Sequence, residues 1–139
     1  MDELRIALGS DVSGHPLKSS IVEMLREQTT AEVTDVGVDS PEDAGMDHAD
    51  AATRVARLVA EGTADRGLLF CGNGLGVAIA ANSVDGVSAV TAHDVFSVRT
   101  SLSRNRAQVL CMGAEVIGAG AAAELVRDWL AEPMPAPAD

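Results

Sequence analysis

Six consecutive residues, Cys71-Gly72-Asn73-Gly74-Leu75-Gly76, set a thiol directly ahead of three alternating glycines. An apolar run, Gly67-Leu68-Leu69-Phe70, leads into Cys71, and a helical stretch follows at 77–82. The glycines let the backbone turn its N–H groups towards one point, and the helix dipole adds partial positive charge there. Such a turn can hold an oxyanion and favour the thiolate of Cys71, making it a usable base or nucleophile. The spacing is not the dinucleotide fingerprint, because Val77 stands at the third glycine position, and no Lys-Ser/Thr follows to make a phosphate-binding Walker loop. The plainer alternative is a buried structural cysteine before an ordinary strand-to-helix turn. Cys111 has no glycine turn and reads as core.

Other loops carry polar residues of the right kind. In Gly9-Ser10-Asp11-Val12-Ser13-Gly14-His15, Asp11 stands just past an apolar run, where a carboxylate binds substrate hydroxyls or caps a helix. Asp47-His48-Ala49-Asp50 opens another helical stretch, with Asp47 equally readable as a plain N-cap, and His93-Asp94 follows a further apolar run. Arg99, Arg104 and Arg106 fall within eight positions of a chain with only 10 basic against 21 acidic residues. They form either an anion site or a solvated helix face paired with carboxylates.

Short apolar runs that alternate with amphipathic stretches must position these residues. Strands are expected at 5–9, 32–36, 67–71, 88–91 and 109–112. Helices are expected at 14–27, 47–61, 77–82, from 94 towards 104, and from near 118 through 130. Residues 39–45 read as a polar loop and Gly62 as a helix stop. Five strand–helix units in a row predict a doubly wound, Rossmann-like α/β domain: a five-stranded parallel sheet with helices on both faces. Ligands bind such sheets at the carboxyl ends of the strands, so Asp11, Cys71 and His93 fall on one rim. The expected organisation is one domain over 1–132 and a Pro-rich, disordered tail over 133–139.

The formal charge of −11 opposes binding to nucleic acid or anionic membrane. No apolar run approaches the ~20 residues of a membrane span. Two cysteines without a disulfide framework fit a reducing cytoplasm. Aromatic residues are so few that Val, Leu, Ile and Ala must build the core.

The chain resembles the ribose-5-phosphate isomerase B and galactose-6-phosphate isomerase family. The matching stretches are Gly9-Ser10-Asp11 with Gly14 and Leu17-Lys18, Asp47-His48-Ala49-Asp50, and the block from Ala64-Asp65-Arg66-Gly67 through Ala81-Asn82. They continue with Gly86-Val87, His93-Asp94, Ser97, Asn105, Ala107-Gln108-Val109-Leu110 and Met112-Gly113-Ala114-Glu115-Val116-Ile117-Gly118. The resemblance covers residues 4–131. It implies a metal-independent, cofactor-free aldose–ketose isomerase that moves a proton between C1 and C2 through a cis-enediol(ate). Cys71 then takes the place of the base, with Asn73 and Asp11 beside it as catalytic residues. The backbone of Gly72, Gly74 and Gly76 holds the enediolate oxygen, and Asp47, His48, His93, Arg99, Arg104 and Asn105 are the candidates for binding substrate. The family also implies a homodimer or homotetramer with active sites at the subunit interface.

The chain departs from the family pattern at several polar positions. Asn73 replaces the usual Thr, Val12 replaces a phosphate-contacting His, and Leu102 replaces an Arg. Arg104 stands where the ring-opening His is found, and residues 133–139 replace a basic C-terminal segment. A tetrose 4-phosphate cannot close a furanose ring, since its O4 carries the phosphate, so it needs no ring-opening group. Its phosphate would also lie closer, within reach of Arg104 or Arg99. The run 101–110 is similar to the subgroup acting on D-erythrulose 4-phosphate, which makes the D-erythrulose 4-phosphate/D-erythrose 4-phosphate pair the expected substrate. The alternatives are a ribose-5-phosphate or hexose-6-phosphate isomerase with rewired phosphate contacts, and a non-catalytic sugar-phosphate-binding homologue.

Overall fold

The computed structural model describes residues 3–37 and 47–135. Ten elements alternate strictly: β1 (Arg5–Ser10), α1 (His15–Gln28), β2 (Glu32–Gly37), α2 (His48–Ala60), β3 (Arg66–Cys71), α3 (Leu75–Asn82), β4 (Ala89–Thr91), α4 (Val95–Ser103), β5 (Val109–Gly113) and α5 (Ala119–Ala131). All four strand pairings are parallel, in the order β2-β1-β3-β5-β4. Strand order therefore reverses beside β1, and β4 is laid at the edge before β5 returns to pair with β3. This is the doubly wound α/β fold expected from the sequence.

Two apolar layers hold the sheet. Period-two alternation sends Leu68 and Phe70 of β3 to the face covered by α1, α4 and α5, where Ile21, Leu25, Leu102, Leu125 and Trp129 are buried. Leu69 and Cys71 point to the other face, against Val55 and Ala56 of α2 and Val77 and Ala81 of α3. Every residue of β3 is buried, as a strand covered on both sides requires. The core is aliphatic as expected, with Trp129 and Phe70 as its two large aromatics.

The element boundaries move where side chains cap. Helix α3 starts at Leu75, two residues earlier than the apolar pattern suggests. Gly74, at φ +79°, turns the chain and the Asn73 side chain accepts from the Leu75 N–H at 2.9 Å. Asp47 and Asp94 cap α2 and α4, accepting from the Asp50 and Ser97 N–H groups at 2.9 and 2.8 Å. Strand β4 is confined to Ala89–Thr91 and β5 extends to Gly113. The polar loop expected at 39–45 lies outside the described residues, as does the tail beyond 135. Among the described residues no helix is long and apolar enough to cross a membrane.

Candidate active site

At the carboxyl ends of the strands a shallow cleft of about 300 Å³ is lined by Asp11, His48, Cys71, Gly72, Asn73, Gly76 and Glu115. Strand β3 delivers Cys71 there, 95% buried. The turn after it bends back so that the Gly74 N–H donates to the Cys71 Sγ at 3.2 Å. The Sγ also lies 3.8 Å from the Asn73 Oδ1, which accepts its proton while the sulfur is a thiol. The sulfur therefore sits at the start of α3 between one backbone donor and one side-chain acceptor. Because Asn73 turns Oδ1 towards the helix, its Nδ2 keeps both donors for another acceptor.

Three further glycine positions are fixed by close approach. A Cβ on Gly113 would fall 2.5 Å from the Asn73 carbonyl carbon, so the end of β5 lies directly under the turn. A Cβ on Gly14 would stand 2.3 Å from the Phe70 carbonyl oxygen, bringing the first loop against β3. At Gly76 the obstruction would be the His48 ring, 2.9 Å away at Cδ2. The ends of β3 and β5 are stitched together by the Ala114 N–H to Cys71 O and the Glu115 N–H to Gly72 O, both 2.9 Å.

The N-cap of α1 is Gly14, while Asp11 folds the first loop and lines the cleft. Its Oδ1 accepts from Ser13 Oγ at 2.7 Å and from the Gly14 N–H at 2.9 Å, which presents the carboxylate at the cleft edge. His48, in the first turn of α2, lines the same cleft; Asp47, one residue earlier, is the cap. The Asp50 N–H on its carboxylate holds Asp47 below the usual range. His93 does not line the cleft. Its Nε2 accepts from the Gly113 N–H at 2.9 Å, and burial pushes its pKa down against the opposing pull of Asp94. An acceptor Nε2 requires the neutral ring with its proton on Nδ1.

The arginines lie elsewhere in the chain. Arg99 pairs with Asp128 of α5 at 3.4 Å, on an exposed helix face. Arg104 ends α4, exposed, with its guanidinium 5.4 Å from the Phe96 ring centre. Asn105 follows it, exposed, and neither residue lines the cleft of its own chain. Arg106 donates to the Pro135 carbonyl beside a cavity of about 570 Å³ at the amino ends of the strands. That cavity is a structural seam. Arg66 spends its guanidinium there on the Trp129 and Glu132 carbonyls, at 2.7 and 2.6 Å, closing the end of α5.

Sequence reasoning did not single out Glu115 or Thr91. The Glu115 carboxylate lies over Gly72, all three of its atoms 3.4 Å from where a Cβ would stand. Its place two residues beyond β5, on the ligand-binding rim, was the available signal. Thr91, the last residue of β4, donates its hydroxyl to the Gly74 carbonyl at 2.6 Å, a contact no spacing announces. Among the described residues no three His, Cys, Asp or Glu side chains gather as a metal site would need.

A thiol at a strand end with a backbone donor on it, and a rim of carboxylate, amide and imidazole, is an arrangement that can move protons on a small polyhydroxy compound. The family described as Ribose/Galactose Isomerase matches residues 6–137. The chain belongs to that family. It is 48% identical over 128 residues to D-erythrulose-4-phosphate isomerase 2 of Mycolicibacterium smegmatis, covering 91% of this chain and 84% of that one. It is 40% identical over 126 residues to ribose-5-phosphate isomerase B of Escherichia coli, covering 91% and 83%. Among solved structures it is similar to ribose-5-phosphate isomerase B of Clostridium thermocellum, with TM-score 0.88, 36% identity and coverage of 93% and 85%. The Mycoplasma genitalium enzyme with bound ribulose-5-phosphate gives 0.87 and 32%, covering 95% and 86%. The chain is thus an isomerase of the aldose–ketose class.

Proposed function

We propose that this isomerase interconverts D-erythrulose 4-phosphate and D-erythrose 4-phosphate. The observation that carries the mechanism is the Gly74 N–H at 3.2 Å from the Cys71 Sγ, inside a cleft. The Cys71 thiolate takes a proton from C1 of the ketose, and the electron pair moves onto the C2 oxygen to give a cis-enediolate. Backbone N–H groups of the glycine turn and the free Nδ2 of Asn73 hold that oxygen. The thiol returns the proton to C2, while a hydroxyl proton passes from O1 to O2. Asp11 and His48 hold the substrate hydroxyls. A cleft of about 300 Å³ sits at the small end of ligand sites and suits four carbons.

A second copy of the chain completes the site in this reading. Ile79 and Phe96 are 75% and 64% exposed, with Leu75, Val95 and Val116 also bare, on elements that leave the carboxyl ends of β3, β4 and β5. Apolar residues gathered beside an active cleft suit a homodimer or homotetramer interface. Across it, Arg104 or Arg99 of one protomer would meet the phosphate in the cleft of the other. The free thiols of Cys71 and Cys111 suit a cytoplasmic enzyme.

The test is deuterium exchange from D2O followed by NMR, with erythrulose 4-phosphate, ribose 5-phosphate and a hexose 6-phosphate in parallel. The tetrose phosphate is expected to exchange fastest, and Cys71→Ala to abolish exchange. Faster exchange of ribose 5-phosphate makes the chain a pentose-phosphate isomerase. Exchange that survives in Cys71→Ala removes the thiol from the mechanism.

A further inference from the structure

Two contacts from the end of β4 hold the turn that surrounds Cys71. Thr91 Oγ1 donates to the Gly74 carbonyl at 2.6 Å, and Thr91 Cγ2 would stand 3.0 Å from a Cβ on Gly74. Two residues on, His93 Nε2 accepts from the N–H of Gly113, the residue on which Asn73 rests. Gly74 is the left-handed N-cap of α3, and its own N–H is the donor to the Cys71 Sγ. An N-cap carbonyl accepts the first helical bond with one lone pair and has a second to spare. Thr91 fills it. The flanking peptides of Gly74 are thereby tied at both ends, one to β4 and one to the thiol.

We propose that Thr91 is a positioning residue for the isomerisation, its hydroxyl holding the Gly74–Leu75 peptide so that the adjoining Asn73–Gly74 peptide keeps its N–H on the Cys71 sulfur. The inference rests on the reading of Cys71 as the base. It adds that the reactivity of the thiol is set from β4, by a side chain that never meets substrate. An unrestrained glycine in a left-handed N-cap has neighbouring conformations open to it that point its N–H away from the sulfur. A hydroxyl tether removes them at the cost of one side-chain rotamer.

Thr91→Val keeps the shape and the β-branch but deletes the donor, and Thr91→Ser keeps the donor and deletes the methyl. The readouts are the rate of Cys71 alkylation by iodoacetamide at pH 7 and, separately, kcat and KM for erythrulose 4-phosphate. Cys111 is fully buried and its thiol is pushed up by that burial, so it stays silent under alkylation. Thr91→Val is expected to slow alkylation and lower kcat about fivefold, the size of one neutral hydrogen bond, with KM within about twofold. Thr91→Ser is expected to match the parent in both. Parent-like alkylation and kcat in Thr91→Val overturn the proposal, and so does a Thr91→Ser variant as slow as Thr91→Val, which would make the effect one of packing. Alkylation does not depend on turnover. If Cys71→Ala proves active, the base assignment fails, while slowed alkylation in Thr91→Val still establishes the tether.

Discussion

Gly76 lies so close beneath His48 that a Cβ there would stand 2.9 Å from the ring's Cδ2 and 3.1 Å from its Nε2. The glycine in the first turn of α3 is thus the floor on which an imidazole from α2 rests, and the His48 ring forms a wall of the cleft. Alanine at this position sets two effects against each other. In a helix it gains roughly 0.5–1 kcal/mol over glycine. Towards His48 it is a clash that the ring resolves by swinging away.

Gly76→Ala is therefore expected to leave the melting temperature unchanged or slightly raised while kcat/KM falls at least about tenfold, as displacement of a positioned group does. Thermal unfolding and steady-state kinetics on one preparation check this. A variant as active as the parent would show that His48 has no part in the reaction.

The pH dependence of stability turns on His93. Burial lowers its folded pKa, Asp94 opposes that, and only the neutral ring accepts the Gly113 N–H. The unfolded chain therefore binds the proton first as pH falls below ~6.5, and stability declines from there down to the depressed folded value. Melting temperature is expected to drop between pH 7 and 5 in the parent and to drop less in His93→Gln, whose side-chain oxygen can still accept. Asp47, Asp65 and Asp94 are held below their usual range by the Asp50 N–H, by Arg5 and by the Ser97 side chain respectively, so their contribution is lost only below about 3.8. Equal slopes in parent and His93→Gln would separate His93 from this transition.

What the sequence disclosed followed from patterns that depend on local chemistry. The rim containing Asp11 and Cys71 was legible because apolar runs end there and parallel strands all point the same way. His48 was legible as a polar residue at a helix start and, through the family resemblance, as a candidate for binding substrate; its seat on Gly76 needs α2 packed on α3. The role of His93 was not legible, because a histidine at a strand end looks the same whether it faces substrate or, as here, a backbone N–H of β5. Arg99 and Arg104 illustrate the limit for charges. Clustering in sequence puts them on α4, whereas the partner of Arg99 is Asp128 of α5, set by tertiary packing alone.

Subunit exchange tests the placement of Arg104. Its guanidinium rests on Phe96 outside the cleft of its own chain. If it serves a neighbour, Arg104→Ala and Cys71→Ala damage different halves of one shared site. Mixing the two variants is expected to restore activity that neither shows at low substrate, because a mixed dimer holds one intact Cys71–Arg104 pair. Arg104→Ala alone is expected to raise KM with little change in kcat, as loss of a uniform binding contact does. An unchanged KM, or no recovery on mixing under conditions where subunits exchange, would remove Arg104 from the phosphate site.

Glu115 makes the last prediction because it puts a negative charge where a phosphate isomerase has least use for one. Its carboxylate lies over Gly72 and lines the same cleft as Asp11 and His48. A dianion entering that corner would meet two carboxylates, and like charges at contact distance cost several kcal/mol in a partly desolvated site. The expectation is that this corner takes the hydroxyl end of the substrate, with the phosphate on the opposite side. Glu115→Gln keeps the shape and removes the charge. Inorganic phosphate is expected to inhibit this variant at least about fivefold more strongly than the parent, while kcat/KM for the tetrose phosphate falls as orientation is lost. Phosphate inhibition identical in the two proteins would show that the carboxylate does not steer the substrate.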